Sequence, residues 1–164
     1  MRRVITGGAG FIGGHLAERF VANGHDVVVV DNFDPFYDIR IKEHTVEVCR
    51  NRADESNGSY SLVEEDVQDA DLVAEVDYVY YQAAQTGVRN RYEHDEINVD
   101  GTLNVLDAAR DSDVEQVVLA SSSSVYGKPE YLPYDETHST TPVGPYSASK
   151  LAAERHACAY SEVY

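Results

Sequence analysis

The sequence predicts an α/β fold: a doubly wound parallel sheet of about five strands in the order 3-2-1-4-5, with helices on both faces. Three observations predict it. Short apolar runs alternate with helical patterns along the chain, as βαβ units with right-handed crossovers require. Residues 27–30 are four consecutive valines, the pattern of a strand covered on both faces. Glycines at positions 7, 10 and 13 follow the first apolar run directly and open a helix.

The elements follow in order. Residues 3–6 form a short first strand, closed by Gly7-Gly8. From 11 to about 21, Phe11, Ile12, Leu16, Phe20 and Val21 share one helical face, and Asn23-Gly24 stops that helix. The second strand is 27–30. The polar stretch after it carries a helix near 39–49, a third strand at 60–63 and a fourth at 78–81. A helix over 97–109 and a fifth strand at 116–120 come next. A long loop over 128–145, marked by Pro129, Pro133, Pro142 and Pro145, leads into an alanine-rich helix over 146–160. The order and spacing of these elements describe a Rossmann-type domain.

A chain of 164 residues fits one domain spanning 1–164, able to bury ~70% of its unfolded surface. No run approaches the ~18 apolar residues of a membrane span. Met1-Arg2-Arg3 leads straight into a strand, unlike a signal peptide, so the expected location is cytoplasmic. There are 29 acidic residues against 13 basic ones, for a net charge of −16. Such a surface repels nucleic acid and anionic membranes, so neither is an expected partner. Only Lys42, Lys128 and Lys150 are lysines. An acidic, lysine-poor surface resembles that of haloarchaeal proteins, and its self-repulsion is least screened at low ionic strength. The reading is a halophilic protein; the plainer alternative is charge that serves solubility. Cys49 and Cys158 have no metal or redox spacing and are expected to be free, buried thiols. Asn57-Gly58-Ser59 is read as a turn rather than a glycosylation site.

The glycines have the spacing G-x-x-G-x-x-G. Gly7 lets the strand turn, Gly10 lets backbone approach a pyrophosphate, and Gly13 lets the helix pack closely on the sheet. The helix N-terminus then offers free N–H groups to phosphate. Asp31 ends the second strand, where a carboxylate accepts from both adenosine ribose hydroxyls and repels a 2′-phosphate, favouring NAD over NADP. The bland alternative is a solvated strand-end carboxylate. Asp66 follows the third strand and could meet the adenine amino group, although Glu64 and Glu65 make that region acidic regardless.

Two motifs carry chemistry. Tyr146-Ser147-Ala148-Ser149-Lys150 puts a phenol and an ammonium four residues apart on one helical face. A phenol of pKa about 10 is a poor base at neutral pH unless a nearby cation stabilises its phenolate. Ser121-Ser122-Ser123-Ser124-Val125-Tyr126-Gly127 follows the fifth strand, where doubly wound folds bind ligands.

Together these motifs resemble the extended short-chain dehydrogenase/reductase family, in its nucleotide-sugar epimerase and dehydratase branch. The resemblance runs from Thr6-Gly7-Gly8 through Asp31-Asn32-Phe33-Asp34-Pro35-Phe36-Tyr37, 83–89 and 98–102 to Pro145-Tyr146-Ser147. It implies catalytic roles for Ser122, Tyr146 and Lys150. It also implies cofactor contacts for Phe11, Ile12, Asn32, Val67, Gln82, Ala83, Ala84 and Asn98, together with Tyr146 and Lys150. Thr86, Ser122, Ser123 and Ser124 are the expected substrate contacts. Asn98 has a simpler alternative as a local hydrogen bonder.

Related 4,6-dehydratases carry an Asp-Glu pair where this chain has Ser123-Ser124, which points to 4-epimerisation. Residues 31–37 look most like the UDP-glucose and UDP-glucuronate 4-epimerases. Two departures stand out: a first strand about one residue short, and Tyr81 where many members have histidine. Family members are also about twice this length, so the resemblance implies that the C-terminal substrate domain is absent here and that the fifth strand has an exposed edge. A homodimer through helices 97–109 and 146–160, with their alanines 108, 109, 148, 152 and 153, is expected. The alternatives are an NAD-binding module without turnover, or an epimerase-like small-alcohol or threonine dehydrogenase.

Overall fold

The computed structural model describes residues 1–68, 76–86 and 94–164. Its five strands are β1 (Arg2–Thr6), β2 (Asp26–Val30), β3 (Ser59–Val63), β4 (Tyr78–Tyr81) and β5 (Gln116–Leu119). They form one parallel sheet in the order β3-β2-β1-β4-β5. The helices are α1 (Phe11–Ala22), α2 (Ile39–Asp54), α3 (Gly101–Arg110) and α4 (Pro145–Val163). A wide π-helical turn (Asp95–Asp100) runs into α3, and a 3₁₀ turn (Ser123–Tyr126) follows β5.

Strand alternation sorts the core into two layers. Ile5, Val27 and Val29 point to one face and bury Ala17 and Val21 of α1 and Cys49 of α2. Val4, Val28, Val30, Val79 and Tyr81 point to the other and meet Val105 of α3. Each fully buried valine contributes about 1.5–3 kcal/mol relative to exposure. The register then sets the site: Thr6 lies beside Val30 and Tyr81, and Val30 beside Val63. The carboxyl ends of four strands therefore finish level, and the chain leaves the sheet there as loops.

Several expectations need adjusting. β1 starts at Arg2, which pairs with Asp26, one residue earlier than expected. α2 continues to Asp54 because its polar last turn is tied down by Arg52, which reaches Glu18 of α1 at 3.0 Å. α4 starts on Pro145 itself, where the missing N–H has no helical partner to lose. Cys49 is buried, and burial pushes its thiol up to about 11, but Cys158 is exposed. Tyr81 is buried and donates to the Ile97 carbonyl at 3.0 Å. A Cβ at Gly101 would lie 2.7 Å from that hydroxyl, so the glycine makes the room.

The helix expected over 97–109 instead enters through the π-helical turn. Such turns displace side chains from their helical positions and expose carbonyls. Here the Tyr81 hydroxyl takes the Ile97 carbonyl and the Thr102 hydroxyl takes that of Asn98, at 2.7 Å. α3 and α4 lie side by side, joined by the Tyr160 hydroxyl donating to Asp107 at 2.7 Å. Ala153 is buried and Ala148 exposed. On its far side β5 has no partner strand among the described residues, and Val118 is exposed. Among the described residues no helix is long and apolar enough to cross a membrane, and no group of His, Cys, Asp and Glu could hold a metal.

Candidate functional site

The glycine turn is the floor of the site. Gly7 adopts φ +63°, and its N–H donates to the Val30 carbonyl at 2.7 Å, turning the chain across β2. Gly10 precedes α1 in extended conformation and supplies no capping side chain, so the first-turn N–H groups are left for a ligand. A Cβ on Gly13 would sit 2.5 Å from the Gly7 carbonyl oxygen, closer than real contacts allow. The helix can approach the turn only with glycine there. Phe11 and Ile12, in the first turn of α1, stand exposed above it.

Asp31 is buried at the end of β2. One carboxylate oxygen accepts from the Ala9 N–H (3.1 Å), and the other from the Phe33 N–H (2.9 Å) and the Lys42 ammonium (2.8 Å). A carboxylate has about four lone-pair directions, so three donors fix this one in place and leave about one direction open to a ligand. It is not the solvated strand-end group of the bland reading. Beside it, the Asn32 amide donates to Asp66 at 2.8 Å, and Gln68 N–H holds the other Asp66 oxygen at 3.1 Å. Asn32 and Asp66 thus form one rim.

These groups line a cleft of ≈ 350 Å³ at the ends of β1, β2 and β4. Gly7, Gly10, Gly13, Phe11 and Ile12 form its floor, while Asp31, Asn32, Asp66 and Val67 form one wall. Gln82, Ala83, Ala84 and Thr86 form the opposite wall. Gly87, Val88 and Arg89 lie outside the described residues. Lys42, Phe36, Tyr37 and Gln85 also line the cleft and were missed by sequence reasoning. Lys42 carried a faint signal, as one of three lysines and in the first turn of the helix after β2.

The remaining predicted residues stand outside the lining. Asn98 is buried, but its amide faces inward. Its oxygen accepts from Gln85 N–H (2.9 Å), and its nitrogen donates to the Gln85 carbonyl (3.2 Å) and Ser149 Oγ (2.9 Å). Asn98 therefore bonds locally, through Gln85 of the cleft wall, and is not itself among the lining residues. The Ser122 hydroxyl accepts from Ser124 N–H and shares a 2.9 Å hydrogen bond with Ser124 Oγ, capping the 3₁₀ turn, while Ser123 is exposed. Tyr146 is half-buried on the first turn of α4. Lys150 is buried one turn later, and burial lowers its ammonium pKa against a small opposing effect of Glu154. Among the described residues, no hydrogen bond joins Ser122, Tyr146 and Lys150. Ser149, which donates to the Tyr146 carbonyl at 2.8 Å and accepts from Asn98, connects the start of α4 to Asn98 and, through it, to Gln85.

A family profile described as GDP-mannose 4,6 dehydratase matches residues 4–164. The chain belongs to that family. Its relatives include the putative UDP-glucose 4-epimerase of Methanocaldococcus jannaschii, 36% identical over 98% of this chain and 51% of the relative. The probable UDP-glucuronate 4-epimerase of Rhizobium meliloti is also 36% identical, over 100% of this chain and 50% of that protein. Among solved structures, a UDP-galactose 4-epimerase superposes with a TM-score of 0.82 at 36% identity, covering 100% of this chain and 52% of that one. A tyrosine-to-phenylalanine mutant of the UDP-glucuronic acid 4-epimerase from Bacillus cereus, solved with a fluorinated UDP-sugar and NAD, gives 0.90 at 25% identity, covering 100% and 53%. The chain therefore spans about half the length of the relatives it matches. Its glycine turn, Asp31 and α4 fall within the part that this family profile covers.

Proposed function

We propose that this chain is the cofactor-binding domain, residues 1–164, of an NAD-dependent nucleotide-sugar 4-epimerase acting on a UDP-sugar. The observation that carries the reading is the cleft itself: a phosphate bed on Gly7, Gly10 and the N-terminus of α1, with a carboxylate anchored at the end of β2. These residues fit a dinucleotide, since a side chain at Gly13 would close the bed and Asp31 is oriented from three sides. When bound, NAD supplies a hydride acceptor that returns the hydride to the other face of the sugar, so the reaction is redox-neutral overall. Gly7, Gly10, Phe11, Ile12 and Gly13 hold the pyrophosphate, Asp31 and Lys42 the adenosine ribose, and Asp66 and Val67 the adenine.

Tyr146 takes the proton of the sugar 4-hydroxyl, with Ser122 orienting that hydroxyl and Lys150 favouring the phenolate as a nearby cation. Ser123 and Ser124 offer no carboxylate for the second proton transfer that dehydration demands, and Thr86 borders the substrate side. The relatives' UDP-sugar names support the same reading.

Calorimetric titration of the chain with NAD in molar KCl, repeated with NADP, UDP and UDP-galactose or UDP-galacturonate, tests this. NAD should bind at least ~10-fold more tightly than NADP, a difference of about 1.4 kcal/mol. Equal affinities, or no heat with NAD, would overturn it. Conversion of a UDP-sugar separates an epimerase from a binding module, and net NADH production from an alcohol or amino acid marks the dehydrogenase alternative.

The same reading includes a cytoplasmic, haloarchaeal homodimer through α3 and α4. Its support is the charge of −16 with three lysines and the small side chains of those helices. Light scattering in molar KCl should give a dimer mass, and the melting temperature should rise from low to molar KCl. A monomer, or a flat melting temperature, would remove the corresponding part.

A further inference from the structure

His94 is buried immediately before the π-helical turn, and neither the glycine motif nor the Tyr146–Lys150 pair accounts for it. Its Nδ1 lies 3.2 Å from the Gln85 carbonyl oxygen. A carbonyl only accepts, so Nδ1 carries the proton and donates. Gln85 is part of the cleft wall, and the Asn98 amide clamps it from a second side. On its other side the His94 ring meets Tyr146 edge to face, with centroids 5.8 Å apart and planes at 63°. One buried ring therefore touches both the wall of the cleft and the phenol placed at the reacting centre. The wide turn that follows His94 brings Asn98 inward to the same carbonyl.

We propose that His94 is a positioning residue that couples occupancy of the cleft to the setting of Tyr146. Its Nδ1–H holds the Gln85 wall, and its ring packs against that of Tyr146. The proposal rests on the reading that the cleft binds NAD and that Tyr146 is the proton acceptor. The two contacts are chemically separable. His94→Asn keeps a side-chain donor near Nδ1 but removes the ring. His94→Phe keeps a ring but removes the donor, and His94→Leu removes both.

The test uses the full chain labelled with 3-fluorotyrosine. The chain has twelve tyrosines, and the ¹⁹F resonance of Tyr146 is identified by its loss in Tyr146→Phe. In the wild type, NAD should shift that resonance. His94→Phe should leave it near its wild-type position while weakening NAD about 3- to 10-fold, as loss of one hydrogen bond in the wall predicts. His94→Asn should hold NAD affinity within about twofold yet move the Tyr146 resonance and abolish its response to NAD. His94→Leu should show both defects. The proposal is overturned if the Tyr146 resonance is unmoved in His94→Asn, or if His94→Phe binds NAD as the wild type does. It also falls if both readouts decline together in step with melting temperature across all three variants, the mark of a merely structural histidine. A wild-type chain that binds no NAD overturns the functional reading itself, an outcome distinct from wild-type binding with unaltered variants.

Discussion

Gly13→Val should abolish NAD binding and lower the stability of the domain by about 2–4 kcal/mol. The position leaves no room, because its Cβ would lie 2.5 Å from the Gly7 carbonyl oxygen and 2.8 Å from the Gly8 Cα. Both neighbours are backbone, and Gly7 is itself held by Val30, so neither can step aside as a flexible side chain would. The helix must move off the sheet, taking its N–H groups away from the phosphate bed. An affinity loss of ~100-fold or more, about 2.8 kcal/mol, is expected by calorimetry. Gly10→Ala is the control, since its Cβ meets only the Gly7 oxygen, at 3.1 Å. It should weaken NAD more than it weakens the fold. A Gly13→Val protein with wild-type urea unfolding would refute the close-packing role.

Asp31→Ala should be at least as damaging to the fold, for a different reason. It removes the proposed ribose acceptor and also strands three donors: the Ala9 and Phe33 N–H groups and the largely buried Lys42 ammonium. Breaking a buried pair from one side costs about 3–5 kcal/mol, most of it from the charge left behind. Removing Lys42 as well, in Asp31→Ala with Lys42→Met, should recover about half of that stability. NAD affinity should not recover with it. Urea unfolding of the single and double variants measures the first effect and calorimetry the second. If the double variant binds NAD like the wild type, neither Asp31 nor Lys42 holds the ribose.

What could be read from the residues, and what could not, follows from the range of each interaction. The sheet was legible because Val27–Val30 and the runs at 78–81 and 116–119 state their burial locally, and parallel order follows from the intervening helices. The last turn of α2 was hidden because Arg52 is held by Glu18, far away in sequence, and adds nothing to an apolar period. The π-helical turn was hidden because six residues are too few to tell a wide helical period from 3.6. In the cleft, glycine spacing and Asp31 announced themselves. Lys42 did not, since its ammonium meets Asp31 only once α2 has folded back across the end of β2. Asn98 was named only by the resemblance, because its partners Gln85 and Ser149 meet it across the fold. His94 had no sequence signal, because both of its contacts are made across the fold.

Among the described residues β5 has no neighbour on its outer side, and that edge gives the acidic surface a colloidal consequence. An open strand edge is a template on which a second copy can pair, and Val118 adds an apolar face beside it. At low ionic strength, two chains each carrying −16 repel over a Debye length of ~10 Å in 0.1 M salt. In molar salt that reach shrinks to ~3 Å. The salt that relieves strain among charges within one molecule thus also removes the barrier between molecules. Conformational stability and resistance to self-association pull in opposite directions along the same salt axis.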